Sequence, residues 1–177
     1  MNRTFVTAIV MVAVLSPAIQ PAADVREETH CVVDVIGERA DGELIVSEPR
    51  CYGTFAGAMA DASDGTLMLP ASTRGAVMFA DIDVAEAASS FTLGIHFDYF
   101  DGGGSSISIS GTSCSGGWWN TGTAWHDRIS STYNGCARLR HYTNANMGGS
   151  FEDTKGVGTR DNLTSYLNNK ADSVSYN

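Results

Sequence analysis

His96-Phe-Asp-Tyr-Phe-Asp-Gly-Gly-Gly104-Ser105 and His141-Tyr-Thr-Asn-Ala-Asn-Met-Gly-Gly149-Ser150 are two versions of one phrase, and they decide the fold. Each places a histidine and aromatic or polar residues ahead of a glycine-rich turn closed by serine. A second pair of segments follows in the same order. Trp125-His-Asp-Arg-Ile-Ser-Ser131 comes after the first phrase, and Leu167-Asn-Asn-Lys-Ala-Asp-Ser173 after the second. A repeated unit buries its apolar face against its twin. Two copies, residues 92–134 and 137–177, therefore predict one pseudo-symmetric domain rather than a solenoid.

The texture of this half agrees. From Phe91 onward Gly, Ser, Asn, Thr and aromatic residues dominate, and helical spacing disappears. Leu93–Phe97, Ser106–Ser110 and Arg138–Tyr142 alternate with period two between turn clusters, as antiparallel strands of a sandwich do. Gly102 to Gly104 and Gly148-Gly149 are expected to supply positive φ where each hairpin folds over itself. Trp118, Trp119 and Trp125 occur in the first copy alone and are read as half-buried core.

Paired hairpins followed by paired acid/amide-and-serine loops resemble the βγ-crystallins, in particular their secreted microbial branch. The resemblance covers residues 92–177 and implies an all-β, double Greek-key β-sandwich. In that family each half closes with an Asn/Asp-Asn/Asp-x-x-Ser/Thr-Ser loop that helps bind calcium. Here the loops read His126-Asp127-Arg128-Ile129-Ser130-Ser131 and Asn168-Asn169-Lys170-Ala171-Asp172-Ser173. Each departs once from the pattern, His126 in the first and Asp172 in the second.

Calcium takes six to eight oxygens from carboxylates, amides, hydroxyls and carbonyls. The resemblance implies two sites at one end of the sandwich, each joining one loop to oxygens of the other half. Carried over by position, Asp127 and Asn169 take the second place of the motif and Ser130 and Asp172 the fifth. Arg128 and Lys170 take the third place, where the main-chain carbonyl is the ligand, and their side chains are expected to point away. The bland alternative keeps both loops as structural corners, with Ser and Asp satisfying backbone N–H groups. His96 and His141 hold equivalent places, which predicts a structural role, while His30 is expected at the surface.

The N-terminal part differs. Arg3, the apolar run Phe5–Leu15 and the small residues Ser16-Pro-Ala18 and Ala22-Ala23 read as a secretory signal peptide, residues 1–23, which makes the protein extracellular. Residues 24–91 read as a small acidic α+β unit. It contains a hairpin of Cys31–Ile36 with Glu43–Val46, and a helix capped by Thr54 that ends at Gly65. Two further strands are expected at Thr66–Pro70 and Ala76–Phe79, and a helical turn within Asp81–Ser90. This unit has no assigned role, and its removal as a pro-segment is an open alternative.

Composition narrows the function classes. The 177 residues carry a net charge of −9. Residues 24–91 hold 13 acids against four bases, and residues 92–177 hold seven against six. Phosphate contact needs clustered Lys/Arg, so nucleic acid and anionic membranes are excluded as partners. The four cysteines of an exported chain point to disulfides. Of three pairings, Cys31–Cys51 with Cys114–Cys136 is favoured because it closes short loops. No Cys-x-x-Cys, His-Glu-x-x-His, Gly-x-Ser-x-Gly or phosphate loop occurs, and the chain is read as non-enzymatic. The competing reading is a secreted protease inhibitor or killer-toxin-like interaction protein on the same scaffold. Against the inhibitor branch stands the lack of a Cys-Pro-x-Gly-x-x-Cys opening.

Overall fold

A computed structural model of the chain describes residues 27–177. The segment read as a signal peptide, residues 1–23, falls outside the described residues. Among those residues no helix is long and apolar enough to cross a membrane.

The N-terminal segment forms β1 (His30–Glu38), β2 (Leu44–Val46) and β3 (Arg50–Tyr52), then α1 (Phe55–Ala62), α2 (Val77–Ala80) and α3 (Ile82–Ala88). The first repeat gives β4 (Thr92–Phe97), β5 (Ser106–Ser110), β6 (Trp118–Asn120), the single turn α4 (Gly122–Trp125) and β7 (Ser131–Asn134). The second gives β8 (Arg138–Asn144), β9 (Gly148–Lys155), β10 (Arg160–Asn162) and β11 (Ser173–Tyr176).

Two sheets result. One runs β10-β7-β4-β5-β1-β2 with β3 also on β1, and the other runs β6-β11-β8-β9. The order β10-β7-β4-β5 is β6-β11-β8-β9 with the two halves exchanged. Each repeat keeps its first, second and fourth strands together and lends its third to the sheet of its twin. The halves are thus joined by backbone hydrogen bonds as well as by side-chain packing. Beyond this symmetric part, β1 lies parallel to β5 over five paired residues, from His30–Ser106 to Asp34–Ser110. The N-terminal segment thereby extends the first sheet.

Burial explains the layers. Leu93, Ile107 and Ile109 of the first sheet meet Trp119, Leu139, Val174 and Tyr176 of the second in a shared core. On the opposite face of the first sheet, Ile95, Phe97 and Tyr133 meet Phe55, Met59, Met78 and Ala85 from the helices. The first sheet is therefore covered on both faces, and all six residues of β4 are buried. The three tryptophans are 5%, 8% and 5% exposed at 118, 119 and 125, more deeply placed than the half-buried position expected of them.

Several local expectations hold. β1 and β2 form the hairpin. Thr54 caps α1, its hydroxyl accepting from Gly57 N at 3.1 Å, and Gly65 follows the helix with φ 77°. The cysteines pair Cys31–Cys51 and Cys114–Cys136, across 20 and 22 residues. Each bridge contributes about 2–4 kcal/mol by shrinking the unfolded ensemble. Such bridges fit an extracellular protein.

Other expectations are corrected. Thr66–Pro70 is a turn and loop, and Val77–Ala80 is a helical turn, where strands were expected. This segment lies instead over the first sheet's outer face, where a helical turn satisfies its own backbone groups while burying Met78. His30 is not at the surface. It is 2% exposed, its Nδ1 lies 3.0 Å from Ser106 Oγ, and its ring meets Phe55 edge-on, because β1 is clamped between β3 and β5.

Candidate metal sites

Each closing loop feeds directly into the last strand of its repeat, Ser131 opening β7 and Ser173 opening β11. Those serines tie the loop to its own hairpin. Ser131 Oγ donates to Tyr99 O at 2.6 Å and accepts from Gly102 N at 3.1 Å. Ser173 Oγ donates to Asn144 O at 2.7 Å and accepts from Met147 N at 3.0 Å. The backbone repeats just as closely. Asp127 and Asn169 have φ of 54° and 55°, and Asp101 and Asn146 have 55° and 56°.

The hairpin turns use fewer glycines at positive φ than expected. Gly102, Gly104 and Gly149 adopt it, but Gly103 and Gly148 do not, and Met147 (φ 57°) stands where the first repeat has Gly102. At Gly104 and Gly149 the requirement is also spatial. A Cβ there would lie 2.0 Å from Asp98 Oδ1 and 2.2 Å from Thr143 Oγ1 respectively.

The fifth place of one loop meets the second place of the other. In the first pocket Ser130 Oγ lies 2.9 Å from Asp98 O and 3.1 Å from Asn169 Oδ1. A hydroxyl has one proton, so it can serve only one of these acceptors at a time. Asp98 Oδ1 and Asn168 Oδ1 are buried without a hydrogen-bond partner. No hydrogen bond to the main-chain carbonyls of Arg128 or Lys170 is found among the described residues. The pocket has a volume of about 390 Å³ and is lined by Asp98, Tyr99, Phe100, Arg128, Ser130, Asn168 and Asn169. It presents surplus oxygen acceptors.

In the second pocket His126, Asp127 and Asp172 converge, with one ligand atom from each lying within 4.8 Å of the others. His126 Nδ1 is 3.0 Å from Asp127 Oδ2, and Nε2 is 3.2 Å from Asp172 Oδ2. Asp172 Oδ1 is buried and unpartnered. Burial pushes the Asp172 carboxyl above its ordinary range; the Asp127 charge adds to that shift, while His126 and the Asp127 backbone N–H oppose it.

The two cationic side chains behave differently from each other. Lys170 turns away toward Ser165 O, as expected. Arg128 does not point away from the first pocket. Its guanidinium donates to Asp98 Oδ2 at 2.9 Å and to Ala124 O at 2.9 Å, and it lies 4.9 Å over Trp125. Asp98 was not singled out from the sequence, although its place just after β4 puts its carbonyl in the hairpin the loop must reach. Asn168 has no signal in the sequence beyond its place in the second loop.

The repeated histidines are not among the residues that form these two pockets. His96 and His141 sit fully buried between the sheets, His141 Nε2 lying 3.3 Å from His96 Nδ1. Comparison of the chain with protein-family models, curated proteins and solved structures finds no match.

Proposed function

We propose that this is an exported, non-enzymatic protein with a βγ-crystallin-like, double Greek-key domain stiffened by divalent cations at its loop end. The exchange of third strands between two sheets of the same order supports the Greek-key reading. The two disulfides support export.

One observation carries the metal reading. Ser130 from the first loop and Asn169 from the second share a pocket in which the one Ser130 proton faces two acceptors and Asp98 Oδ1 and Asn168 Oδ1 are buried without a partner. All of these donors are hard oxygens, a set that suits calcium and offers little to thiophilic metals. Ser130, Asn169, Asp98 and a third-place main-chain carbonyl would hold the ion. Bound there, calcium would neutralise the buried acceptors and tie the halves together. The charge available is modest, because Asp98 already shares its carboxylate with Arg128. An affinity in the range of extracellular calcium modules follows, about 10⁻⁴ to 10⁻³ M.

Calorimetric titration of the chelator-stripped mature chain with calcium tests this. A binding event is expected, and it should weaken in Ser130→Ala and in Asn169→Gly. Glycine is chosen at 169 because φ there is 55° and alanine would add backbone strain. Calcium at 100 times Kd would add about 2.7 kcal/mol of stability, seen as a rise in Tm. Absence of heat and of any Tm change up to about 10 mM calcium, well past that range, would overturn the proposal.

A further inference from the structure

The two pockets are equivalent in backbone yet different in chemistry. Both departures from the loop pattern, at residue 126 in one loop and residue 172 in the other, fall in the same pocket and touch at 3.2 Å. The first pocket keeps hydroxyl, amide and carbonyl oxygens beside the Asp98 carboxylate, which Arg128 already pairs. The second has exchanged them for an imidazole and two carboxylates.

We propose that His126, Asp127 and Asp172 form a site for a borderline divalent ion of the zinc class rather than for calcium. One imidazole nitrogen and one oxygen from each carboxylate would be the protein ligands. The inference rests on the reading of these loops as cation pockets and assigns one of them its metal. Imidazole is a poor partner for calcium but the commonest nitrogen ligand of zinc-class ions, and a three-residue set leaves a fourth position for water.

The geometry requires little movement. Donors on a tetrahedral ion with bonds of about 2.0–2.2 Å stand about 3.3–3.6 Å apart. The two His126 contacts, at 3.0 and 3.2 Å, already approach that spacing, and the widest separation in the set is within 4.8 Å. The imidazole lies between the carboxylates with one nitrogen toward each, so a single ion needs the ring to turn and Asp127 to close in. Both can do so, since the side chains of His126 and Asp127 are 56% and 52% exposed. Asp172 is the fixed member, with 16% of its side chain exposed and Oδ1 buried without a partner. An orphaned buried carboxylate oxygen is costly unless a cation satisfies it.

The alternative is a corner in which His126 only bridges two acids. Zinc and calcium titrations of the mature chain and of His126→Asn, with cobalt(II) absorption as a second readout, separate the two. Asparagine restores the residue type the loop pattern has at that place. One zinc event is expected, tighter than calcium at the same pocket, with tetrahedral cobalt absorption in the visible. Losing even an outer partner of a metal ligand costs about 10–100-fold, so His126→Asn should weaken zinc by at least about 10-fold. Calcium binding at Ser130 and Asn169 should be unchanged, with circular dichroism confirming the fold. Zinc binding that is indifferent to His126→Asn overturns the inference. Calcium binding with no zinc event overturns it too, while leaving the proposed function standing. Failure of both ions removes both readings.

Discussion

Lowering the pH from 7.5 to 5 is expected to remove at least about 2 kcal/mol of stability, before most carboxylates titrate. The cause is the histidine pair between the sheets. His96 and His141 are fully buried, and their polar neighbours are Tyr176 OH at 3.0 Å from His96 Nε2 and Thr132 Oγ1 at 3.1 Å from His96 Nδ1. His141 Nδ1 has no partner. Neither of these contacts is with a carboxylate that could compensate an imidazolium.

Burial pushes the His141 pKa down to about 3, and burial together with the neighbouring His141 pushes that of His96 well below its ordinary value. A group whose folded pKa lies below its unfolded value of 6.5 stabilises the fold fully above 6.5 and loses that contribution as the pH falls. One unit is worth about 1.36 kcal/mol, so His141 alone loses about 2 kcal/mol at pH 5. His96 adds a loss of the same sign. The ion-paired Asp61 and Asp153, whose pKa values are held down by Arg50 and Arg140, act in the same direction only at lower pH. Urea unfolding at pH 7.5, 6.5, 5.5 and 5 reads this directly. A midpoint unchanged between 7.5 and 5 would mean the pair is hydrated or charged in the native protein.

The second large effect concerns the N-terminal segment. A fragment comprising residues 92–177 is expected to lack a cooperative melting transition. Without β1 and the helices, Ile95, Phe97 and Tyr133, each 0% exposed, would face water. Burying side chains of this kind is worth about 1.5–3 kcal/mol each, so about 4.5–9 kcal/mol is lost. That loss alone rivals the whole stability of a typical domain, about 5–15 kcal/mol. The β1–β5 pairing goes with it. Scanning calorimetry of the fragment beside residues 24–177 checks this. A fragment that melts cooperatively near the temperature of the longer chain would contradict it, and would favour residues 24–91 as a removable segment.

Much of the β-rich half was legible because its signals are local. Period-two runs at 93–97, 106–110 and 138–142 became strands, and the short cysteine spacings became bridges. What was missed depends on distant partners. His30 looks like a surface residue until β1 is placed against β5, 76 residues onward. Val77–Phe79 is apolar enough for a strand, and only its place over the outer face of the first sheet, with Met78 buried beside Ile95 and Phe97, shows it as a helical turn. Positive φ at Asp101, Asn146 and Met147 carries no glycine signal.

The candidate sites were legible as loops but not as pockets. Asp127 and Asn169, like Ser130 and Asp172, stand out by position in their own repeat. Which residue faces which across the twofold depends on the strand exchange, and three-residue strands such as β6 and β10 leave almost no pattern to read. The meeting of His126 with Asp172 therefore emerges only from the fold.

A crystal structure of the mature chain grown with calcium, with anomalous scattering to locate the ions, is the most direct test. An ion is expected between Ser130 Oγ and Asn169 Oδ1, with main-chain oxygens completing its shell. Calcium bound only at other places, or an unfilled Ser130–Asn169 pocket at saturating calcium, would contradict it.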